Sequence, residues 1–277
     1  MNMKLAYTGW MWLREFSGQR EHIRRIFEQS VKELVHIGYP FMENMASFVV
    51  PYFRPEEVRE IMERYGTRLI GLYSNLSEGY ETLCSYVDFV KAAGGEYLIS
   101  MSPNWDLGRD MGDLPTDWDG IRAQAELSNR VGAYAAAQGI TFCYNPHAYT
   151  DVATDEEMAA FAELTDPETV KFCFDCGHAT LAGVDPLRQL ETYYDRMAYI
   201  HVKDVDPTVE RVAPQFGRTA FVPLGFGTVN VKGYLRYLEA QGYEGVVCVG
   251  MPPPCAKIND YESAAISRTY LRLNCDL

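Results

Sequence analysis

Short apolar segments alternate with amphipathic segments along this 277-residue chain, and this alternation constrains the fold more than any other feature. Eight segments have the length and composition of β-strands, and helical patterns separate them. Eight β-α units predict a single (β/α)8 TIM barrel, with residues 1–277 as one domain. The predicted strands lie at residues 5–9, 39–42, 67–73, 96–101, 140–144, 171–175, 197–202 and 245–249.

An open, doubly wound sheet is the alternative fold for such an alternation. That fold normally carries a glycine-rich phosphate-binding turn after the first strand. The segment YTGWMW at residues 7–12 has no such turn, and the barrel is therefore favoured. Capping signals support the helix boundaries, including Thr154 followed three residues later by Glu157.

The composition excludes several classes of partner. A net charge of -13 argues against nucleic acid and against an anionic membrane surface, because both require clustered Lys and Arg. The sequence contains neither an apolar stretch of the roughly 20 residues that a spanning helix needs nor a signal peptide at its start. The seven cysteines, several inside predicted strands, indicate buried thiols in a reducing compartment, and we expect a cytoplasmic protein.

Polar residues follow several predicted strands at the point where each strand ends. In a barrel, the carboxyl ends of the strands share one pocket, where ligands bind. Three of the five histidines of the chain belong to this set. The candidates are Glu43 and Asn44, Asn145 and His147, Asp175 and His178, and finally His201, Lys203 and Asp204.

Oxygen and imidazole ligands from separate strands suit a divalent ion such as Mn2+, Mg2+, Co2+ or Zn2+. Such an ion polarises a carbonyl or hydroxyl oxygen of a sugar. Each residue also has a simpler explanation: Asp175 can cap a helix, and Lys203 can form a surface salt bridge instead of contacting a substrate oxygen. His147 and His178 can transfer protons, because an unperturbed imidazole titrates near neutral pH.

Two segments resemble a known family. FDCGHATLAGVDP at residues 174–186 and YYDRMAYIHVKDVD at residues 193–206 resemble the signature of the sugar phosphate isomerase/epimerase superfamily, which consists of xylose-isomerase-like TIM barrels. YNPHAYTDVATDEEM at residues 144–158 and LGFGTVNVKGYLRYLEAQGYEG at residues 224–245 are similar to the inosose dehydratase branch. The resemblance covers nearly the whole chain from the second strand onward.

The resemblance implies one divalent metal held by an acid, an Asp, a His and a Glu from strands five to eight. Asp175 and His201 match the second and third ligands, whereas Asn145 stands at or near the first. Gly250 replaces the last-strand Glu, and Pro252 replaces the Asp that follows it. A two-glutamate epimerisation is therefore unavailable, and the predicted ligands are Asp175, His201 and Asn145, binding a metal weakly or not at all.

Two functional hypotheses remain open. The first is a lyase or isomerase that abstracts a proton next to the carbonyl of a keto-sugar or keto-inositol. In it His147 and His178 act as acid or base, and Glu43, Lys203 and Asp204 bind the substrate. The second is a non-catalytic carbohydrate-binding or regulatory relative, since Gly250 removes a ligand. A nuclease on the same barrel is disfavoured by the charge. The expected partner is a small sugar or polyol, and a homo-oligomer is left open.

Overall fold

The computed structural model describes residues 2–13, 20–103, 115–208, 221–250 and 258–277. Within these residues, eight parallel strands form a closed barrel, and the prediction of a (β/α)8 barrel is confirmed. The barrel strands are β1 (Lys4–Thr8), β2 (Phe41–Met45), β3 (Arg68–Asn75), β4 (Tyr97–Met101), β5 (Thr141–Asn145), β6 (Val170–Asp175), β7 (Met197–Val202) and β10 (Val246–Val249). Their order around the barrel is β1-β10-β7-β6-β5-β4-β3-β2.

Two further strands, β8 (Asp204–Val205) and β9 (Phe221–Val222), pair antiparallel outside the barrel. The sequence did not predict this pair, because two-residue strands carry no periodic signal.

Helices connect the strands and cover the outside of the barrel. The long ones show the expected amphipathic pattern, and the predicted ranges 80–93 and 231–240 match the observed helices. The predicted capping box of Thr154 and Glu157 is also confirmed. The helices are α1 (Arg20–Ile37), α2 (Ala46–Val49), α3 (Pro55–Arg64), α4 (Tyr80–Ala93), α5 (Trp118–Ala137), α6 (Asp155–Leu164), α7 (Cys176–Leu181), α8 (Pro186–Tyr193), α9 (Val231–Ala240) and α10 (Asp260–Asn274).

The second strand begins later than predicted, and this moves one candidate residue. Proline has no N–H to donate to a neighbouring strand, so β2 begins after Pro40, at Phe41. Glu43 therefore lies inside β2, opposite Thr8 of β1, and does not follow the strand. A register shift between Met42 and Glu43 also distorts the pairing with β3.

Small and aromatic side chains fill the barrel interior below the strand ends. Cys143, Cys173 and Tyr199 belong to one buried cluster. Because side chains alternate along a strand, these residues share a face with the residues two positions later: Asn145, Asp175 and His201. A second, larger apolar cluster lies between the strands and the helices. The interior cluster forms the floor of the pocket at the carboxyl end.

The six cysteines in the described parts of the chain are unpaired and buried, as predicted for thiols in apolar strands. No described helix combines the length and the apolar character needed to cross a membrane. Pro252 lies outside the described residues.

Candidate functional site at the carboxyl end of the barrel

Asp175 ends β6 and contributes both to the local fold and to the pocket. Its Oδ1 accepts hydrogen bonds from the backbone N–H groups of Gly177, at 3.0 Å, and His178, at 3.1 Å, which caps α7. Its Oδ2 lies 2.6 Å from Lys203 Nζ and 3.8 Å from His201 Nδ1. The capping role considered for Asp175 therefore uses one oxygen and leaves the other in the pocket.

Glu43 and His201 form a buried pair across the barrel. The Nε2 of His201 lies 2.8 Å from Oε2 of Glu43, and both side chains are almost fully buried. Since a carboxylate accepts hydrogen bonds, Nε2 carries the proton when the imidazole is neutral, and Nδ1 then presents its lone pair. That Nδ1 has no hydrogen-bond partner among the described residues. The pair thus leaves one basic nitrogen available beside Asp175.

His147 and His178 stack on each other, and Nε2 of His178 lies 4.0 Å from Oδ2 of Asp175. Their ring centroids are 3.3 Å apart and their planes meet at 34°. The Nδ1 of His147 donates a hydrogen bond to the carbonyl oxygen of Ala148 at 3.0 Å. His178 also packs edge-on against Phe221, with the ring centroids 5.0 Å apart.

Burial keeps both stacked imidazoles neutral. Burial, with a further contribution from the nearby Lys203 charge, lowers the pKa of His147 to about 3. Burial also lowers the pKa of His178 well below 6.5, and the neighbouring His147 adds to the shift. Neither ring is protonated at neutral pH, so both can offer hydrogen bonds but are weak proton carriers.

Asn145 ends β5, but its amide already has protein partners. Its Oδ1 accepts a hydrogen bond from the hydroxyl of Tyr73 at 2.7 Å, and its Nδ2 donates to the carbonyl oxygen of Cys173 at 2.7 Å. Burial raises the pKa of Tyr73 well above 10, so the hydroxyl remains a donor. Sequence reasoning missed Tyr73, although it ended the third predicted strand. Asn145 therefore orients Tyr73 beside the ring of His201, with the two ring centroids 5.6 Å apart.

Lys203 enters the pocket directly after β7. Its side chain is only 12% exposed, its Nζ lies 2.6 Å from Asp175, and it is 5.4 Å from the ring centroid of Phe221. Gly250 lies beside this side chain: a Cβ added at Gly250 would lie 2.8 Å from Cε of Lys203. The surface salt bridge that was the alternative explanation for Lys203 is instead a buried ion pair inside the pocket.

The side chain of Asp204 does not join the other candidates. Its Oδ1 accepts from the N–H groups of Val205, at 2.9 Å, and Val229, at 3.0 Å. Its Oδ2 accepts from Gly225, at 2.9 Å, and Gly227, at 3.0 Å. Both oxygens are therefore engaged in holding the segment 225–229, and the substrate-binding role predicted for Asp204 gains no support from this geometry.

Among the described residues, Glu43, His201 and Cys248 bring three potential ligand atoms close together. One ligand atom from each lies within 4.8 Å of the others, and all three are buried. This set shares only His201 with the predicted ligands Asp175, His201 and Asn145. Cys248 was not considered as a ligand, because it lies inside an apolar strand and no second cysteine is spaced to pair with it.

Comparisons with known proteins agree with this architecture. A family model described as a xylose isomerase-like TIM barrel matches residues 31–272. The inosose dehydratase of Lacticaseibacillus casei is 31% identical over 272 residues, covering 88% of each chain. The inosose dehydratase of Geobacillus thermodenitrificans is 32% identical over 157 residues, which is 54% of this chain and 53% of that protein.

Solved structures share the fold at low sequence identity. The IOLI protein with a bound zinc atom has a TM-score of 0.73 and 16% identity, covering 99% of both chains. The D-allulose 3-epimerase of Methylomonas sp., in complex with D-allulose, has a TM-score of 0.75 and 15% identity, covering 99% of this chain and 97% of that one.

These matches confirm the resemblance that the motifs indicated. The family model spans most of the chain, and the Lacticaseibacillus casei relative, which matches over nearly its whole length, is a dehydratase by name. The chain therefore belongs to the xylose isomerase-like TIM barrel family, and it is an enzyme of the lyase or isomerase type.

Proposed function

We propose that this enzyme removes a proton next to the carbonyl of a keto-sugar or keto-inositol and then expels a neighbouring hydroxyl group as water. The observation that carries the proposal is the Glu43–His201 pair, whose unpartnered Nδ1 lies beside the Lys203–Asp175 ion pair. The sequence relatives named as inosose dehydratases support a keto-inositol as substrate. The epimerase bound to D-allulose supports a keto-sugar.

His201 is the base in this proposal. Its Nδ1 takes the proton from the carbon next to the carbonyl, while Glu43 accepts the hydrogen bond from Nε2 and stabilises the imidazolium that forms. This replaces the predicted roles of His201 as a metal ligand and of Glu43 as a substrate-binding residue. A carboxylate behind an imidazole fixes both its tautomer and its orientation.

Lys203 stabilises the oxygen on which negative charge develops. When the α-proton leaves, the carbonyl oxygen becomes an enolate oxygen, and a nearby ammonium lowers the energy of that charge in a buried site. Asp175 holds the ammonium 2.6 Å from its Oδ2, so the cation is positioned before the substrate arrives. The ammonium can donate its N–H bonds to substrate oxygens.

The elimination balances without any further reagent. The electrons of the broken C–H bond form the new C=C bond, and the C–O bond to the neighbouring hydroxyl breaks. The leaving hydroxyl takes the proton from Nδ1 of His201, which returns to its neutral form as water departs. If the proton is instead returned to the former carbonyl carbon, while the proton of the α-hydroxyl moves to the enolate oxygen, the product is an isomer of the substrate.

His147 and His178 bind substrate hydroxyl groups in this proposal. Their pKa values are lowered by burial, so neither carries a proton at neutral pH. A neutral imidazole can still accept or donate a hydrogen bond to a sugar hydroxyl. The acid and base roles that the sequence predicted for them therefore pass to His201.

The described residues do not fit the divalent ion that the family resemblance implies, although the IOLI structure holds zinc. Asn145 already accepts from Tyr73, Gly250 offers no ligand, and Lys203 occupies the pocket oxygen of Asp175. An ion on Glu43, His201 and Cys248 would have to replace the Glu43–His201 hydrogen bond.

Hydrogen–deuterium exchange tests the base directly. The enzyme is mixed with a keto-inositol or with D-allulose in D2O, and NMR follows both deuterium at the α-carbon and the loss of water. We expect His201→Gln to lower the exchange rate by about 10²- to 10⁴-fold, the usual contribution of a general base. Glu43→Gln should lower it less, since the imidazole remains.

His36→Gln is the matched control, because His36 lies on the exposed face of α1, outside the barrel. It should leave the exchange rate unchanged. If His201→Gln exchanged as fast as the unmodified enzyme, His201 would not be the base. If the enzyme bound these ketones without any exchange, the carbohydrate-binding alternative would be favoured.

A further inference from the structure

We propose that the ammonium of Lys203 is the cation of this pocket and takes the place of a divalent metal. Gly177 and Gly250 leave the space that the lysine side chain occupies. The inference deepens the proposed function and rests on it for the chemical role of Lys203. The placement of the cation itself can be tested without turnover.

The buried carboxylate of Asp175 needs a compensating cation. The Asp175 side chain is fully buried, and a buried carboxylate is costly unless a cation and hydrogen bonds compensate it. Its Oδ1 is satisfied by two backbone N–H groups, which leaves Oδ2. Lys203 Nζ is 2.6 Å from Oδ2, whereas the nearest nitrogens of His201 and His178 are 3.8 Å and 4.0 Å away. Lys203 is therefore the group that compensates Asp175.

Two glycines lie close to the side chain of Lys203. A Cβ added at Gly177 would lie 2.6 Å from Cβ of Lys203, and a Cβ added at Gly250 would lie 2.8 Å from its Cε. Both distances are too short for real carbon atoms, so two glycines line the path of the lysine side chain at its beginning and near its end. A side chain at Gly250 would force Cε of Lys203 to shift from its observed position.

The side chain of Lys203 is restricted in conformation by its neighbours. Phe221 lies 5.4 Å from Nζ, within the range of a cation–π contact. A free lysine side chain loses about 2 kcal/mol of conformational freedom when it is fixed, but here the glycine-lined path and Phe221 restrict it before any substrate binds. A cation that is already ordered can stabilise an enolate oxygen without reorganising during the reaction.

Metal analysis is the first test. Protein purified without chelator should contain well below one Mn, Co, Zn or Mg ion per chain, measured by inductively coupled plasma mass spectrometry. Its α-proton exchange should survive dialysis against EDTA. One tightly bound ion per chain, with exchange lost on its removal and restored by its return, would overturn the proposal.

Mn2+ binding to Lys203→Met is the second test, followed by electron paramagnetic resonance of free Mn2+. Removing the ammonium leaves Asp175 Oδ2 and His201 Nδ1 3.8 Å apart without a competing cation. We expect Mn2+ to bind this variant at least about tenfold more tightly than the unmodified protein, because a repelling charge is gone. Lys91→Met, on the exposed face of α4, is the matched control and should not change Mn2+ binding. Equal affinity in all three proteins would contradict the proposal.

A double-mutant cycle tests the coupling between Gly250 and Lys203. Gly250→Ala should lower the thermal midpoint of the otherwise unmodified protein, because the added carbon displaces the lysine. The same change should have a smaller effect in the Lys203→Met background, since contacting residues are not additive. Equal effects in both backgrounds would show that Gly250 does not accommodate Lys203.

The proposed reaction and the proposed role of Lys203 can be disproved independently of each other. If no keto-polyol is turned over, but the protein is metal-free and the cycle shows coupling, the cation is placed correctly and the proposed reaction is wrong. If exchange occurs but depends on a bound metal, the proposed reaction stands and the role of Lys203 is wrong.

Discussion

At the scale of single residues, burial decides which imidazole in the pocket can carry a proton. His147 and His178 are stacked on each other and buried, and their pKa values fall because burial disfavours the charged form and positive charge is near. His201 has instead a carboxylate on one nitrogen and an unpartnered nitrogen on the other. Three histidines that are alike in sequence therefore differ in chemistry.

The lowered pKa of His147 predicts a pH dependence of stability. The ordinary pKa is 6.5 and the folded value is about 3, so the unfolded chain binds a proton at His147 in a pH range where the folded chain does not. The contribution of neutral His147 to the free energy of unfolding is therefore complete above pH 6.5 and is lost as the pH falls from 6.5 towards 3. The free energy of unfolding, measured by urea denaturation, should fall less between pH 7.5 and pH 5 in His147→Gln than in the unmodified protein.

The control for this prediction is His36→Gln, which changes an exposed histidine on α1. It should leave the loss of stability between the two pH values as large as in the unmodified protein. If His147→Gln lost as much stability as the control, His147 would not be a neutral buried group.

At the scale of structural elements, Asp204 connects three pieces of chain that lie near the pocket. It begins β8, and its two oxygens accept four backbone N–H groups from residues 205–229. A Cβ added at Gly227 would lie 2.3 Å from Oδ1 of Asp204, so the backbone approaches the carboxylate as closely as only glycine permits. Lys203, whose side chain extends into the pocket, directly precedes β8.

Asp204→Asn should therefore destabilise the fold. The amide places an NH2 group against two N–H donors, so two hydrogen bonds to a charged acceptor are lost. We expect a loss of about 2–4 kcal/mol in the free energy of unfolding, measured by urea denaturation. Asp206→Asn is the control, because Asp206 bonds, among the described residues, to Thr208 within its own turn. A loss no larger than that of the control would show that Asp204 is not a structural centre.

At the scale of the whole molecule, the barrel joins the two ends of the chain. β1 pairs with β10, and α10 packs against α1. Tyr39, just before β2, donates a hydrogen bond to the carbonyl oxygen of Ala264 in α10 at 3.1 Å. Arg268, also in α10, donates to the carbonyl oxygen of Gly38 at 3.0 Å. These bonds attach the last helix to the first β-α unit.

Removing one of these bonds should weaken the closed structure moderately. Tyr39→Phe keeps the buried ring and loses only the hydroxyl, so the free energy of unfolding should fall by about 1 kcal/mol. Tyr261→Phe, in α10, should change the free energy of unfolding by less than about 0.5 kcal/mol, since that ring is partly exposed. Chemical denaturation of both variants measures the difference, and equal values would contradict the role of the Tyr39 hydroxyl.

Local patterns predicted the elements of this fold well, and contacts across the barrel explain where they fell short. α4 and α9 follow from the periodicity of their own residues, and α6 from its capping box. β2 was placed two residues early, because the pattern alone does not show that Pro40 must precede the strand. α2 and α7 were missed because four to six residues give too little periodicity.

The sequence by itself determined the barrel, the end of the barrel that holds the pocket, and most of the residues that reach it. These properties depend on periodicity and on the polarity of strand ends, which are local. Only the tertiary structure decided the chemical partners: Glu43 with His201, Tyr73 with Asn145, and Lys203 with Asp175. These partners are brought together by barrel closure across 28 to 158 positions of chain, and local patterns carry no information about which side chains then meet.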